Sequence, residues 1–418
     1  MNQASNEDLT NSEMAASAHP AEDPSLPRSD SSDFQTGYVA TFTFAHAIHD
    51  TYSAFLAPML PTLISNLSLS MTQAGFLDFA RTILSLIQPL VGHWGDRVNL
   101  RYLIVLAPAM TGTMMSLLGV APNYAALVLL ALAAGLGSAF LHALAPAVSG
   151  RFSGAKLGWG MGIWMAGGSI GFALGPIIIV AVLDRLGLRA IPSLMIGGWV
   201  ASAILFVRLR GVSTLTPAVH HRGSLREGFG ALRPLMLPLM AIIGVWALQI
   251  SARSTFLPTF LTQQGESLWF AGIALTVQTG VGFVGAMLGG AISDRWGRRL
   301  VVFVSMSSAA ILMLLFLLVG GWIRLLLLAL MGITGPATRA ALMALVQENC
   351  PENRAMANGM FLAISFVVES GAAVVMGALG DAFGLERAFL LSAVILLIGS
   401  PVVRLLPGRA ASRPDPSD

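Results

Sequence analysis

The sequence contains few charged residues. Lys, Arg, Asp and Glu make up 11% of the 418 residues, whereas 55% are hydrophobic and the mean hydropathy is +0.74. A water-soluble domain carries roughly a quarter of its residues as charged side chains. A surface with so little charge would not stay in solution, but it suits a protein whose outer face contacts lipid. The composition therefore excludes a soluble enzyme and predicts an all-α membrane protein.

Cysteine and lysine are almost absent. Cys350 is the one cysteine, which excludes an intrachain disulfide and a disulfide-stapled secreted fold. Lys156 is the one lysine, and no basic run interleaved with aromatic residues indicates nucleic-acid binding. Phosphate-binding and metal-ligand spacings are also missing from the sequence. We therefore expect no enzyme, no cofactor, no metal site and no nucleic-acid partner.

Long apolar runs dominate the chain. A spanning helix needs about 20 apolar residues, so twelve runs predict twelve transmembrane helices. They are 38–65, 73–94, 101–121, 124–148, 158–183, 190–210, 235–262, 269–292, 300–319, 323–346, 356–379 and 387–406. The polar composition predicts disordered cytoplasmic tails at 1–36 and 407–418 and a cytoplasmic linker at 211–233. The linker would join an N-terminal bundle, 37–210, to a C-terminal bundle, 234–406.

Basic residues are distributed unequally between the two sides of the predicted membrane. If the N-terminus is cytoplasmic, most arginines fall in the connections that face the cytoplasm. The opposite side carries only Arg185, Arg189, Arg324 and Arg387. Cytoplasmic loops are typically enriched in Lys and Arg. We therefore predict a multi-pass protein of the inner (plasma) membrane with both termini in the cytoplasm.

The connection after the second helix of each half carries the same motif, Gly-x3-Asp-Arg-x3-Arg. Its copies are Gly92-x3-Asp96-Arg97-x3-Arg101 and Gly290-x3-Asp294-Arg295-x3-Arg299. Internal repeats are common in secondary transporters. An aspartate at a helix end can pair with nearby arginines, and such pairs can hold one arrangement of the two halves. We predict a gating role for both copies; the alternative is that the arginines only set the topology.

This doubled motif resembles the loop signature of the major facilitator superfamily. The resemblance covers essentially the whole chain outside the tails. It implies two pseudo-symmetric six-helix bundles and transport by alternating access. The run from Gly167 to Pro176 in the fifth helix resembles a glycine-rich motif of drug:proton antiporters, which implies a conformational role for Gly171, Gly175 and Pro176.

A narrower resemblance is to the fosmidomycin-resistance family. Three segments carry it: His46-x3-Asp50-x-Tyr52 followed by Pro58 and Pro61, Gln88-Pro89-Leu90-Val91-Gly92, and Leu141-His142 with Pro146. This resemblance implies proton-coupled export of a small anionic or amphiphilic compound.

Ionisable side chains inside the predicted spans are the candidate coupling residues, because an unpaired charge in hydrocarbon costs at least a few kcal/mol. His46 and Asp50 are four residues apart and share a helix face. A carboxylate beside an imidazole can exchange a proton, as coupling requires. We predict proton coupling at Asp50 with His46, and Glu369 is the other candidate. The alternative is a hydrogen-bonded pair that only fixes helix packing.

The remaining intramembrane residues are candidates for substrate binding. In the superfamily that the chain resembles, helices four, seven and ten line the cavity, which places His142, Arg253 and Arg339 there. A guanidinium suits carboxylate, phosphonate or phosphate; the alternative for these arginines is a salt bridge to an acidic residue, Asp50 or Glu369. Asp78 and Arg81, three residues apart, are expected to pair.

Together these patterns predict a secondary transporter, with proton-coupled efflux as the favoured function. Two alternatives stay open: a proton-coupled uptake symporter for a carboxylate, sugar or other metabolite, and a membrane receptor or scaffold that does not transport. The expected partners are a small-molecule substrate, protons and the lipid bilayer, and the expected unit is a monomer.

Overall fold

A computed structural model of the chain describes residues 33–95, 97–213, 225–350 and 354–407, and every regular element in these ranges is helical. Among the described residues, eleven helices are long and apolar enough to cross a membrane. A helix in two pieces precedes them, which gives the predicted twelve. They are α1 (Thr36–Ser53 and Leu56–Leu67), α2 (Met71–Gly95), α3 (Arg101–Val120), α4 (Tyr124–Phe152), α5 (Gly154–Leu186), α6 (Leu188–Arg208), α7 (Leu225–Ser251, Ala252–Phe256 and Leu257–Gln263), α8 (Leu268–Trp296), α9 (Arg298–Leu318), α10 (Trp322–Asn349), α11 (Arg354–Phe383) and α12 (Leu385–Leu405).

Most of the predicted tails and part of the predicted linker, 214–224, lie outside the described residues, as does Asp96. α7 begins at Leu225, inside the segment predicted as a linker. The division of the chain into two bundles with these boundaries stays a prediction.

Prolines interrupt the first helix of each half. α1 breaks between Ser53 and Leu56, and Pro58 has no backbone N–H to donate to the carbonyl of residue 54. In α7, the residues Ala252–Phe256 form a π-helical turn immediately before Leu257 and Pro258. π-helical turns inside α-helices are frequent at functional sites. Both breaks therefore mark places where the helix path departs from a regular spiral.

The two halves pack together at one end of the bundle, opposite the end where the chain enters α1 and leaves α12. A single hydrophobic core there contains residues of both halves, including Phe55 and Phe256. At the end that bears the termini, each half has its own core, around Phe152 in the first half and Phe361 in the second. We call these the closed end and the termini end. The halves share no hydrophobic core at the termini end, which fits an inward-facing arrangement if the termini are cytoplasmic as predicted.

Helix α5 packs very closely on α1 through its glycines. A Cβ added to Gly171 would lie 2.2 Å from the carbonyl oxygen of Ala47, and one added to Gly175 would lie 2.5 Å from that of Thr51. Pro176 is buried between the halves, where its carbonyl oxygen would lie 3.4 Å from a Cβ on Gly272 of α8. The glycine-rich run therefore lets α5 fit between α1 and α8; its conformational role stays a prediction.

Gly171→Ala should destabilise the protein, because its methyl group would overlap the α1 backbone. Overpacking of this kind costs about 1–3 kcal/mol. Gly162→Ala is the matched control on the same helix, since a Cβ there meets no neighbour within 4 Å. We expect thermal unfolding in detergent at a clearly lower temperature for Gly171→Ala than for the control. Equal unfolding temperatures would contradict the close α1–α5 packing.

Two polar contacts join the halves at the closed end. Asp381 of α11 caps the start of α2: its carboxylate accepts from the backbone N–H groups of Met71 at 2.7 Å and Thr72 at 2.9 Å, and from the Thr72 hydroxyl. Trp269 of α8 donates from Nε1 to Asp184 of α5 at 2.8 Å. A carboxylate at a helix N-terminus is stabilised by the backbone N–H groups and the helix dipole. These contacts therefore favour the closed arrangement of this end.

Asp381→Asn should weaken the closed end, because a neutral amide has lost the charge that the start of α2 stabilises. Spin labels at Asn66 and Gly320, which are exposed in the two halves, would report the separation in a Cys350→Ser background. We expect a larger fraction of long distances in Asp381→Asn than in the exposed control Glu386→Gln. An unchanged distance distribution would show that Asp381 does not hold the halves together.

Candidate functional site

Four polar side chains meet inside the first half: His46, His49 and Asp50 of α1 and His142 of α4. We call them the histidine–aspartate cluster. Asp50 Oδ2 lies 3.1 Å from His46 Nε2, which confirms the predicted contact. Asp50 Oδ1 lies 3.7 Å from His142 Nε2 and 3.9 Å from His49 Nε2, and both distances exceed a hydrogen bond. The side chains of His46 and Asp50 are 4% exposed, whereas that of His142 is 28% exposed. His142 therefore links the buried pair to accessible space.

Backbone carbonyls decide which ring nitrogens carry hydrogen. His46 Nδ1 lies 2.9 Å from the carbonyl oxygen of Trp164, and His142 Nδ1 lies 2.9 Å from that of Ser138. A carbonyl oxygen only accepts, so each ring has its hydrogen on Nδ1. If His46 is neutral with its hydrogen on Nδ1, its Nε2 is an acceptor. The carboxylate of Asp50 is also an acceptor, so no hydrogen would lie between the two atoms. The 3.1 Å contact therefore requires one further proton, on His46 Nε2 or on Asp50.

Helix α5 holds the cluster in place. The Trp164 ring stacks on the His46 ring with centroids 3.8 Å apart. A Cβ on Gly168 would lie 2.5 Å from His46 Cε1 and 2.7 Å from Asp50 Oδ2. Trp164 and Gly168 are thus positioning residues that sequence analysis missed. The glycine run signalled a close approach, but only the packing shows that His46 and Asp50 are what approaches.

Among the described residues, one group has the composition and spacing of a metal site. Ligand atoms of His46, Asp50 and His142 all lie within 4.8 Å of one another. Imidazole and carboxylate are donors that zinc-type ions accept. The expectation of no metal site stays a prediction from the sequence.

Arg253 lies in the π-helical turn of α7 and is 5% exposed. Its Nη1 donates to the carbonyl oxygen of Met331 at 3.1 Å, and its Nε has no hydrogen-bond partner. No carboxylate of the described residues lies within ion-pair distance of it, so it does not form the alternative salt bridge to Asp50 or Glu369. A buried guanidinium without a counter-ion is costly in a membrane interior. The Arg253 guanidinium could therefore bind the anionic group of a ligand.

Each half contains a further ion pair. Arg339 Nη2 lies 2.7 Å from Glu369 Oε1, which is the salt bridge considered as an alternative for this arginine. Arg81 lies 2.6 Å from Asp78, which confirms the predicted pair. The second oxygen of Asp78 accepts from the Thr255 hydroxyl at 2.8 Å. Because Asp78 is on α2 and Thr255 on α7, this hydrogen bond crosses between the halves, and nothing in the sequence singled out Thr255.

In the second copy of the loop motif, Asp294 pairs with a nearby arginine as expected, but this arginine is Arg298 and not Arg295 or Arg299. Asp294 binds Arg298, at 2.5 Å, and the same guanidinium lies 2.7 Å from Glu348 at the end of α10. Arg295 and Arg299 are exposed, and neither forms an ion pair within the described part of the chain. The repeat singles out Arg295 and Arg299, but Arg298, at the start of α9, is the arginine that contacts both carboxylates.

In the first copy of the motif, Arg97 is exposed, and Arg101 donates to the hydroxyl of the adjacent Tyr102 at 2.8 Å. Neither residue contacts a carboxylate of the described ranges, and Asp96 lies outside them. The gating role of both copies stays a prediction.

The described residues form twelve helices with one core common to both halves at the closed end, separate cores at the termini end and ionisable groups within the spans. This arrangement is typical of a multi-pass membrane transporter. The chain belongs to the Major Facilitator Superfamily, whose family model matches residues 42–366 and 271–418. This confirms the superfamily resemblance and the fold predicted from it.

Two relatives match most of the chain. The fosmidomycin resistance protein of Escherichia coli (strain K12) is 23% identical over 383 residues, which cover 89% of this chain and 93% of the relative. The uncharacterized MFS-type transporter YfnC of Bacillus subtilis (strain 168) is 26% identical over 371 residues, which cover 85% of this chain and 89% of the relative.

Solved structures share the fold. The crystal structure of a bacterial homologue of the human lysosomal transporter Spinster, in an inward-facing and unoccupied conformation, superposes with a TM-score of 0.77 at 16% identity. It covers 90% of this chain and 98% of its own. The nucleoside transporter NupG superposes with a TM-score of 0.71 at 13% identity, covering 88% and 98%.

Proposed function

We propose that this transporter exports a small anionic or amphiphilic compound in exchange for protons. The observation that carries the proposal is the contact between His46 and Asp50, which requires one proton beyond those of a neutral ring and a carboxylate. That proton adds a positive charge to a buried site that otherwise holds an uncompensated carboxylate. Loading and unloading the proton would therefore change the charge inside the first half.

His142 supplies the route to this site. It is the most accessible member of the cluster, and its Nε2 faces Asp50 Oδ1. A proton that arrives from the space between the halves can reach His142 first and the buried carboxylate next. For coupling, the two arrangements of the halves must bind the proton with different affinity, since a ligand that binds both equally shifts nothing.

The substrate's anionic group would bind in the second half. Arg253 is buried without a carboxylate among the described residues, and a guanidinium can donate two parallel hydrogen bonds to a carboxylate, phosphonate or phosphate. The relative named for fosmidomycin resistance, at 23% identity, supports a drug of this chemistry as the first substrate to test. Arg253 is in the second half and the histidine–aspartate cluster is in the first. The substrate and the proton would therefore bind on opposite sides of the transport path.

The test is fosmidomycin flux in proteoliposomes that contain the purified transporter and an imposed pH gradient. We expect substrate to move against the direction of proton flow and the flux to stop when an ionophore collapses the gradient. Expression of the gene in a fosmidomycin-sensitive strain should raise tolerance. Substrate movement in the same direction as protons, or a growth defect on one nutrient when the gene is deleted, would instead identify an uptake symporter.

A further inference from the structure

A cavity that includes no residue of the histidine–aspartate cluster lies between the start of α3 and the end of α6. Its volume is about 200 Å³. It is lined by Arg101, Tyr102, Val105, Phe206, Leu209 and Arg210. α3 begins at Arg101 and α6 ends at Arg208, so the cavity lies where these two spans end, on the termini end.

Its two arginines are held by aromatic rings instead of carboxylates. The Arg101 guanidinium lies 4.7 Å from the centroid of the Tyr102 ring, and that of Arg210 lies 5.1 Å from the centroid of Phe206. No carboxylate within the described ranges lies at ion-pair distance from either arginine. Two positive charges therefore face one cavity without a negative group from the part of the chain that the structure describes.

The surface beside the cavity is apolar and exposed. Tyr102, Leu106, Phe206 and Val207 are 51%, 56%, 42% and 60% exposed, and they lie on the two helices that form the cavity. Exposed apolar side chains on spanning helices face lipid, where acyl chains cover them. An occupant with a negative head at the arginines and apolar chains along these residues fits both parts of this surface.

We propose that this cavity binds the phosphate headgroup of an anionic phospholipid. The phosphate would contact Arg101 and Arg210, and the acyl chains would lie against Leu106 and Val207. Basic pockets between spanning helices are a known form of lipid recognition. A soluble phosphate would contact the same arginines but would gain nothing from the apolar face. The proposal does not depend on the direction or substrate of transport.

The test compares lipid binding by native mass spectrometry and thermal unfolding in detergent, with phosphatidylglycerol or phosphatidylcholine added. The variant is Arg101→Gln with Arg210→Gln. The control is Arg185→Gln with Arg189→Gln, which removes two exposed arginines from the other face of the same half. We expect phosphatidylglycerol to bind and stabilise the wild type and the control, and to bind the variant about tenfold more weakly. Lysine at both positions should keep most of the binding, because the charge remains.

Three outcomes would overturn the proposal. Phosphatidylcholine could stabilise the protein as well as phosphatidylglycerol does, which would exclude selection by headgroup charge. The control could lose as much binding as the variant, which would place the lipid elsewhere. Inorganic phosphate alone could give the same stabilisation, which would make the cavity a site for a free anion. Two results would show that the variant has lost lipid binding and has not misfolded. Without lipid, the variant should unfold at the wild-type temperature, and the lysine variant should retain binding.

Discussion

Asp50→Asn should leave the transporter able to bind and exchange substrate but unable to use a pH gradient. An asparagine side chain keeps the shape of Asp50 but carries no charge, so the cluster no longer needs a proton between residues 46 and 50. A proton that binds both arrangements of the halves with equal affinity cannot shift the equilibrium between them, so a pH gradient cannot drive transport. We therefore expect gradient-driven accumulation of fosmidomycin to fall to the level of empty liposomes, while substrate counterflow without a gradient persists.

Matched variants make the Asp50 result interpretable. Glu386→Gln is the same carboxylate-to-amide change at an exposed position at the start of α12, and it should transport like the wild type. Asp50→Glu should keep gradient dependence at a reduced rate, because the longer side chain must fit beside Gly168. Gradient-driven accumulation that survives in Asp50→Asn would move the coupling site to Glu369. Loss of counterflow as well would show that Asp50 binds substrate or holds the fold.

Arg253→Gln should weaken substrate binding and should not destabilise the protein. A hydrogen bond to a charged group contributes about 1.5–3 kcal/mol, so losing the guanidinium should raise the KM for an anionic substrate about 10- to 100-fold. Arg253 has no ion-pair partner among the described residues, so its replacement leaves no buried carboxylate unpaired. We expect a raised KM with an unfolding temperature at or above that of the wild type.

The exposed arginine Arg387 provides the control, since Arg387→Gln removes the same charge from the closed end of the same half. It should change neither KM nor the unfolding temperature. Arg253→Lys should recover part of the affinity, because the charge returns without the paired donors. A lower unfolding temperature with an unchanged KM in Arg253→Gln would show that Arg253 is structural, and the anion site would then be sought at Arg339.

The spans and the internal repeat could be predicted from the sequence because they depend on local composition. A helix that crosses lipid must satisfy its own backbone hydrogen bonds and present apolar side chains, so its position is written in one continuous segment. The contacts between His46 and Asp50 and between Asp78 and Arg81 were also predictable, since side chains three or four residues apart share a helix face. In both cases the observed distances confirm the expectation.

Contacts between helices were less predictable. The repeated motif pointed to Arg295 and Arg299, but Arg298 is the residue that binds Asp294 and Glu348. Asp294 near the end of α8 and Arg298 at the start of α9 meet across the turn at Gly297, and Glu348 comes from α10. Glu369 pairs with Arg339 from α10, an option that sequence analysis held open beside proton coupling. Choosing among such partners requires the relative positions of helices that are far apart in sequence.

The sequence by itself determined that this protein is a two-repeat helical membrane transporter with ionisable residues in its spans. Only the tertiary structure decided that Trp164 and Gly168 of α5 hold the His46–Asp50 pair, that Thr255 bonds to Asp78 across the halves, and that Arg253 has no acidic partner in the described part of the chain. The physical reason is that local patterns report how one helix meets lipid. The surroundings of a buried charge depend on which other helices pack against it, and no single segment contains that information.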